Sequence, residues 1–430
     1  MNYLKLKKRS LIFGSLLTVS LVVTTSCNKD EDASVEDFQQ THHDQNGIPK
    51  EYIVVFKDAT IKSKAITKES LPILEKYGIT EAQIAKEYTT IFKGVFLEGI
   101  SKEIANRLKN DPAIESVTQN IPFEFNPTFV SNTTVSTSDH QKMTTFNDLI
   151  KPDGEIIPWG ALRSGYGFGT GKKIWIIDTG IADIDEFNID KVNSRNFAPD
   201  ALLMNGSIDP TAWKDTSFNS HGTAVASIIA AKEDGKGIRG IAAGATVVAI
   251  RANGGGSELR HVAAAFDYVA SKIQPGEVWN FSGGPDDPLA NLIAGGFKDQ
   301  VDLFENAIKA LAQKAPGFVA AGNSGRNLDI QPYIESHFST STDQLYIIGA
   351  IDNTDMVWAA SMHGNVIDYW APGVNLPLLD KNGNVFRESG TSMAAPIVAG
   401  LYLLSSENLK KTYKSITKGR HTRPIAQIVE

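Results

Sequence analysis

Only one cysteine, Cys27, occurs among 430 residues, so an intrachain disulfide is excluded. Packing, hydrogen bonds or bound ions must therefore hold the fold together. An excess of basic charge is missing as well: 42 Lys and Arg stand against 49 Asp and Glu, a formal net charge of −7. With no clustered basic stripe beyond the extreme N-terminus, this balance argues against a nucleic-acid partner. No apolar run reaches the roughly 20 residues of a membrane-spanning helix. What is present is ordinary globular composition, 42% hydrophobic and 21% charged with 36 glycines. That suffices for one large domain with a sizeable core and one or two small ones.

Leu11 to Val23 is apolar and follows Lys5, Lys7, Lys8 and Arg9, the pattern of an export signal. It ends in Thr24-Thr25-Ser26-Cys27, followed by Asn28-Lys29-Asp30-Glu31-Asp32. Small residues before a lone Cys resemble a bacterial lipobox, here with Thr24 in place of the usual aliphatic residue. The acidic run resembles the surface-export signal of some Gram-negative lipoproteins. The expectation is a lipoprotein-type signal peptide over 1–26 and lipidation at Cys27. The product would be anchored at the bacterial outer membrane or cell surface, touching the membrane only through that lipid. The competing reading is an ordinary signal peptide with an incidental cysteine and a secreted product.

Residues 27–50 are polar and without periodicity, as in a tether. From Glu51 to about 125 a compact pattern follows. Tyr52 to Phe56 reads as a strand, Lys68 to Tyr77 as a helix stopped by Gly78, and Ile84 to Tyr88 and Gly94 to Leu97 as strands. Ser101 is placed to cap a second helix, and Ile114 to Thr118 gives a last strand. The order β-α-β-β-α-β predicts a ferredoxin-like α+β sandwich. Residues 126–155, rich in Thr, Ser and Asn in their first part, read as an exposed linker open to proteolysis.

Over 156–430, short continuous apolar strands alternate with helices. This predicts an α/β domain of three layers, with a mostly parallel sheet covered by helices on both faces. Sites in such folds lie at the carboxyl ends of the strands. Three motifs fall there. Ile176-Ile177-Asp178-Thr179-Gly180 ends a strand, His221-Gly222-Thr223-Ala224-Val225-Ala226 opens a helix, and Gly390-Thr391-Ser392-Met393-Ala394-Ala395-Pro396 surrounds one hydroxyl with small residues. Singly, each admits a structural reading as a turn, a helix start or a cap. Together they supply a hydroxyl nucleophile, an imidazole to take its proton and a carboxylate to fix the imidazole tautomer.

The order Asp, His, Ser is that of subtilisin rather than of chymotrypsin or the α/β-hydrolases. From Pro158-Trp159-Gly160 to about Leu404 the chain resembles the subtilisin-like serine proteases. The 51–125 segment, with Tyr52-Ile53-Val54-Val55-Phe56-Lys57, Phe92-Lys93-Gly94-Val95 and Ile114-Glu115-Ser116-Val117, is similar to their inhibitor propeptide. The resemblance implies a serine endopeptidase acting on proteins or peptides through an acyl-enzyme, made as a precursor with its own propeptide as intramolecular inhibitor. Asp178 would orient His221, His221 would be general base and then acid, and Ser392 the nucleophile. Ala320-Ala321-Gly322-Asn323-Ser324-Gly325 resembles the segment whose Asn binds the oxyanion, which assigns Asn323 that role.

By the same resemblance, Gly254 and Gly255 belong to an edge segment that holds substrate as an added strand. Ser282 and Gly283 belong to the opposite wall, one residue shorter than usual. Ala224, Ser227 and Ile397 depart from residues common in the family. No cofactor is implied. Structural calcium is frequent in these proteases, but no Asp-rich loop matches, so the metal is left unknown. Asp183, Asp185 and Glu186 could be ligands, with a solvated loop as the alternative. A catalytically silent peptide-binding protein on the same fold is the rival reading. An esterase is excluded by the triad order and the lack of a Gly-x-Ser-x-Gly elbow.

Overall fold

The computed structural model describes residues 50–120, 146–254, 256–284, 288–334, 344–405 and 415–428. The expectations for the signal peptide, Cys27, the tether and most of the linker lie outside the described residues, as does Gly255.

The first 70 described residues contain strand β1 (Tyr52–Phe56), helix α1 (Ile66–Leu74), β2 (Ile84–Tyr88), β3 (Gly94–Leu97), α2 (Lys102–Leu108) and β4 (Ile114–Gln119). All neighbouring strands are antiparallel, in the order β2-β3-β1-β4 of a ferredoxin-like sandwich. Helix α1 begins two residues before the expected Lys68, and Glu75–Tyr77 tightens into a 3-10 turn before Gly78 at φ 77°. Ser101 caps α2 as expected, accepting from Ile104 N at 3.2 Å. Every residue of β1 is apolar because both faces of this sheet are covered. Tyr52, Val54 and Phe56 pack on the domain's own helices, whereas Ile53 and Val55 join Tyr88 and Phe96 in the core of the larger domain. Antiparallel sheets usually leave one face to water, so the all-apolar strand already announces a second cover.

The larger domain is built on β5 (Lys173–Asp178), α3 (His221–Ala230), β6 (Thr246–Arg251), α4 (Leu259–Lys272), β7 (Val278–Phe281), α5 (Lys298–Ala312), β8 (Gly317–Ala320), β9 (Leu345–Ile351), β10 (Tyr369–Pro372) and α6 (Thr391–Ser405). Its parallel sheet runs Arg195–Asn196, then β6-β5-β7-β8-β9-β10. Alternate strand residues feed two cores. Ile174, Ile176, Val247 and Ala249 pack under α3 and α6, whereas Trp175, Ile177, Val248 and Ile250 pack under α4 and α5. Period-2 alternation thus gives the three-layer architecture.

Residues 146–155, expected to continue the linker, are packed on the larger domain. Phe146 N donates to Asn353 O at 2.8 Å, and Leu149–Ile150 pairs with Ile156–Ile157. Asp148 accepts from Trp159 N and ion-pairs with Arg387. Glu155 is fully buried against Lys151 and the N–H groups of Asp234 and Gly235. Beyond α6, Ser415–Lys418 and His421–Pro424 form a hairpin, and Ile425 bridges Trp370 on the outer strand. Among the described residues, no helix is long and apolar enough to cross a membrane.

Candidate active site

Three adjacent strand ends and two helix starts converge at one point of the sheet. Asp178 is the last residue of β5 and is fully buried. Its Oδ1 accepts from Thr179 N at 2.7 Å and lies 2.7 Å from His221 Nδ1. The imidazole, at the start of α3, is also fully buried. Two glycines allow this approach. A Cβ on Gly222 would sit 2.1 Å from Gly180 O and 3.1 Å from Asp178 Cβ, and one on Gly180, at φ +101°, would meet Trp213 O at 2.5 Å. The Asp-Thr-Gly and His-Gly pairs are therefore contact requirements: the β5 turn and the α3 start touch backbone to backbone. Thr179 Oγ1 seals the contact by accepting from Gly222 N at 2.8 Å.

Two features of this corner are absent from the motifs. Ser220 holds a left-handed conformation, φ 55°, immediately before His221, a strained geometry for a residue other than glycine. Asp215 caps α3 from the preceding loop, accepting from Thr223 N at 3.1 Å and Thr223 Oγ1 at 2.7 Å. Burial pushes its carboxyl above the usual range, although hydrogen bonds from Ser217 and Thr223 oppose the shift.

Ser392 lies in the first turn of α6 and is 4% exposed. Its Oγ donates to Ser282 O at 3.3 Å, while Ser282 Oγ donates to Ser392 O at 3.1 Å and accepts from Asn280 Nδ2 at 2.9 Å. The side chain of Ser282 thus locks the end of β7 to the start of α6. Asn323 follows β8, and its Oδ1 accepts from Thr391 N at 2.9 Å and Thr391 Oγ1 at 2.8 Å. Fixing the oxygen turns the amide nitrogen the other way. A Cβ on Gly390 would lie 3.5 Å from Asn323 Nδ2 and 3.6 Å from Ser392 N, so both donors border one small space that the glycine leaves open.

Gly254 and Gly283 are half-buried, at the ends of β6 and β7 on either side of β5. The Gly254 turn is closed by Ser257, whose Oγ interacts with Gly254 N at 3.1 Å and Gly254 O at 2.9 Å. Glu388 is a further carboxylate at the site. Burial raises its pKa, opposed first by the N–H of Ser389 and then by attraction to His221, within whose electrostatic reach it lies. The sequence clue was only its position four residues before Ser392.

The three loop carboxylates considered as metal ligands do not gather. Asp183 pairs with Lys191 at 2.7 Å and Lys214 at 3.0 Å, and Asp185 reaches Lys232 at 3.5 Å. Glu186 is pushed upward by burial and by Asp234. Among the described residues, no group of three or more His, Cys, Asp or Glu is arranged to hold a metal ion.

The small domain docks on α4 and α5, on the other side of the sheet from α3 and α6. Its Thr89-Thr90-Ile91 turn points three successive N–H groups at Asp267 of α4, with distances to Oδ1 of 3.1, 2.7 and 3.0 Å. Arg260 lies over the Phe96 ring at 4.9 Å and reaches Glu98 at 3.5 Å. Gln300 donates to Gln119 O, and Asn120 donates to Glu258 Oε2, each at 2.8 Å.

Comparison with known proteins agrees with this geometry. Residues 169–419 match the model of the subtilase family, and the chain belongs to that family. It is 26% identical to a thermophilic serine proteinase of Bacillus sp. (strain AK1) over 97% of this chain and 93% of that one. With subtilisin-like protease 2 of Trichophyton equinum the identity is 30%, over 60% of this chain and 56% of the relative. The crystal structure of an epidermin leader peptide processing serine protease from Staphylococcus aureus shares the fold. Its TM-score is 0.57 at 20% identity, covering 82% of this chain and 87% of that one. The protein is a serine endopeptidase acting on proteins or peptides, and the family's chemistry needs no organic cofactor.

Proposed function

We propose that Asp178, His221, Ser392 and Asn323 carry out peptide-bond hydrolysis as one unit, and that the chain is an exported, self-inhibited precursor. The observation that carries the catalytic part is the buried Asp178–His221 pair at 2.7 Å beside Ser392 at a helix start. Ser392 Oγ attacks the scissile carbonyl and passes its proton to His221. Asp178 holds the Nδ1–H, fixing the tautomer and stabilising the imidazolium. The oxyanion settles between Asn323 Nδ2 and Ser392 N–H, the latter at the positive end of the α6 dipole. His221 then protonates the leaving amine, and water repeats the sequence on the acyl-enzyme.

Residues 51–125 act in this reading as the inhibitor propeptide. The Asp267 carboxylate receiving three N–H groups, and Asn120 tied to Glu258 four residues beyond Gly254, support it. Cleavage in the 125–157 stretch would release activity. The basic and apolar N-terminus supports export, with Cys27 as the lipid-bearing residue.

The test is labelling with a fluorophosphonate probe together with processing of the purified precursor, wild type against Ser392→Ala. Wild type is expected to label and to cut itself. Ser392→Ala should do neither and should lose roughly 10⁶-fold in kcat, a figure known from subtilisin itself. Equal processing of both forms would remove self-cleavage from the scheme, and absence of labelling in processed wild type would remove the triad.

A further inference from the structure

Buried polar side-chain atoms without a hydrogen-bond partner collect at the ends of three neighbouring strands. They are Arg251 Nε and both polar atoms of Asn253 after β6, Asp178 Oδ2 on β5, and Asn280 Oδ1 on β7. Asn253 is the extreme case. It is 1% exposed, and neither its Oδ1 nor its Nδ2 has a partner. Its backbone is fixed, with N donating to Asp178 O at 3.0 Å. Its side chain reaches across to the opposite wall, where a Cβ on Gly283 would come 2.8 Å from Asn253 Nδ2. The amide therefore lies between the Gly254 segment and the Gly283 wall, both half-buried, beside the Asp178–His221 pair.

Leaving a buried donor and a buried acceptor without partners is destabilising. A leucine would fill nearly the same volume with no such cost, so packing does not explain the choice. We infer that Asn253 is a specificity-determining residue: it hydrogen-bonds a short, uncharged substrate side chain carrying both a donor and an acceptor, a carboxamide or hydroxyl. That side chain sits on the acyl side of the scissile bond, between the two walls. The chemistry follows from the amide. An aliphatic side chain leaves both of its polar atoms orphaned, and a charged one is buried beside a neutral group that cannot balance it. The glycine at 283 is what lets the amide lie against that wall, since a Cβ there would crowd its nitrogen. This inference rests on the catalytic reading above and deepens it.

The experiment profiles cleavage of a random peptide mixture by mass spectrometry, using enzyme matured from the full-length precursor and normalising active sites by fluorophosphonate labelling. Wild type is expected to favour Asn, Gln, Ser or Thr over Leu and Val at one acyl-side position by about 10–100-fold. Asn253→Leu should lose that preference and turn to aliphatic residues there. The near-isosteric Asn253→Asp should turn to Lys or Arg, and it serves alone if the leucine variant fails to label. Labelled wild type and variants with the same profile, or a wild type preferring aliphatic residues at every acyl-side position, would overturn the assignment. If wild type itself does not label, the catalytic reading fails instead.

Discussion

The two faces of the central sheet are built on opposite rules. On one face, α3 is buried along its whole length and α6 along most of it, and both are rich in Gly, Ala and Ser. Contacts there are backbone to backbone, as where Gly222 meets Gly180. On the other face, α4 and α5 are amphipathic, bury a stripe against the sheet and offer polar groups outward to the small domain. The first face holds reacting groups within tenths of an ångström and tolerates no added atom. The second is bound through an apolar patch, Ile53, Val55, Tyr88 and Phe96, together with hydrogen bonds that water can replace. Rigidity is concentrated where chemistry needs it, and reversibility where, in the proposed scheme, the small domain has to leave.

Gly222→Ala attacks the first rule and should have the largest effect. A Cβ 2.1 Å from Gly180 O cannot be relieved by rotating a side chain. Overpacking of this kind costs about 3 kcal/mol or more; thermal unfolding and probe labelling should both show the loss. A variant that labels normally would mean that the β5 turn yields.

Asp267→Ala attacks the second rule, leaving three interface N–H groups without their carboxylate. The domain contact should weaken by about 2 kcal/mol or more. Hydrogen exchange on the Ser392→Ala precursor reads this as faster exchange at Thr89, Thr90 and Ile91. Protection within α3 should be unchanged, and slowed or unaltered exchange in that turn would refute the docking role.

His261, at the start of α4, sharpens the comparison through pH. Its Nδ1 accepts from Glu258 N at 2.9 Å. Burial, and secondarily Arg260, lowers its pKa to about 3. Because the folded value lies below the unfolded one near 6.5, the neutral ring contributes stability that is fully present above pH ~6.5. That contribution is lost as pH falls from there toward about 3. His261→Gln should flatten this part of the melting-temperature profile by several degrees; parallel profiles for the two forms would show that the ring's charge is immaterial.

Much of this was legible in the sequence because local rules and the fold agree. β2 and β3 begin and end at the expected residues, since each run is short and bounded by turns. Asp178 and His221 were readable from their glycines, whose spacing reflects a contact. Asp215 was not: a carboxylate capping a helix six residues downstream across a loop leaves no periodic trace. The left-handed Ser220 was hidden because nothing about a serine announces a positive φ. Nothing in the sequence marks Asn253, and its meaning appears only when the unpaired amide is seen facing Gly283. Residues 146–155 read as linker because several of their ties, to Asn353, Arg387 and Asp234, are long-range.

The turn held by Asp267 and the amide of Asn120 on Glu258 belong to one covalent chain with the domain they touch. While the chain is continuous, their encounter is a local event, governed by an effective concentration. It does not depend on how much protein is present. In the proposed maturation, a single cut in the 125–157 stretch would turn the same interface into an equilibrium between two molecules. Dilution then becomes a trigger: the cleaved pair stays together where protein is abundant and separates where it is scarce.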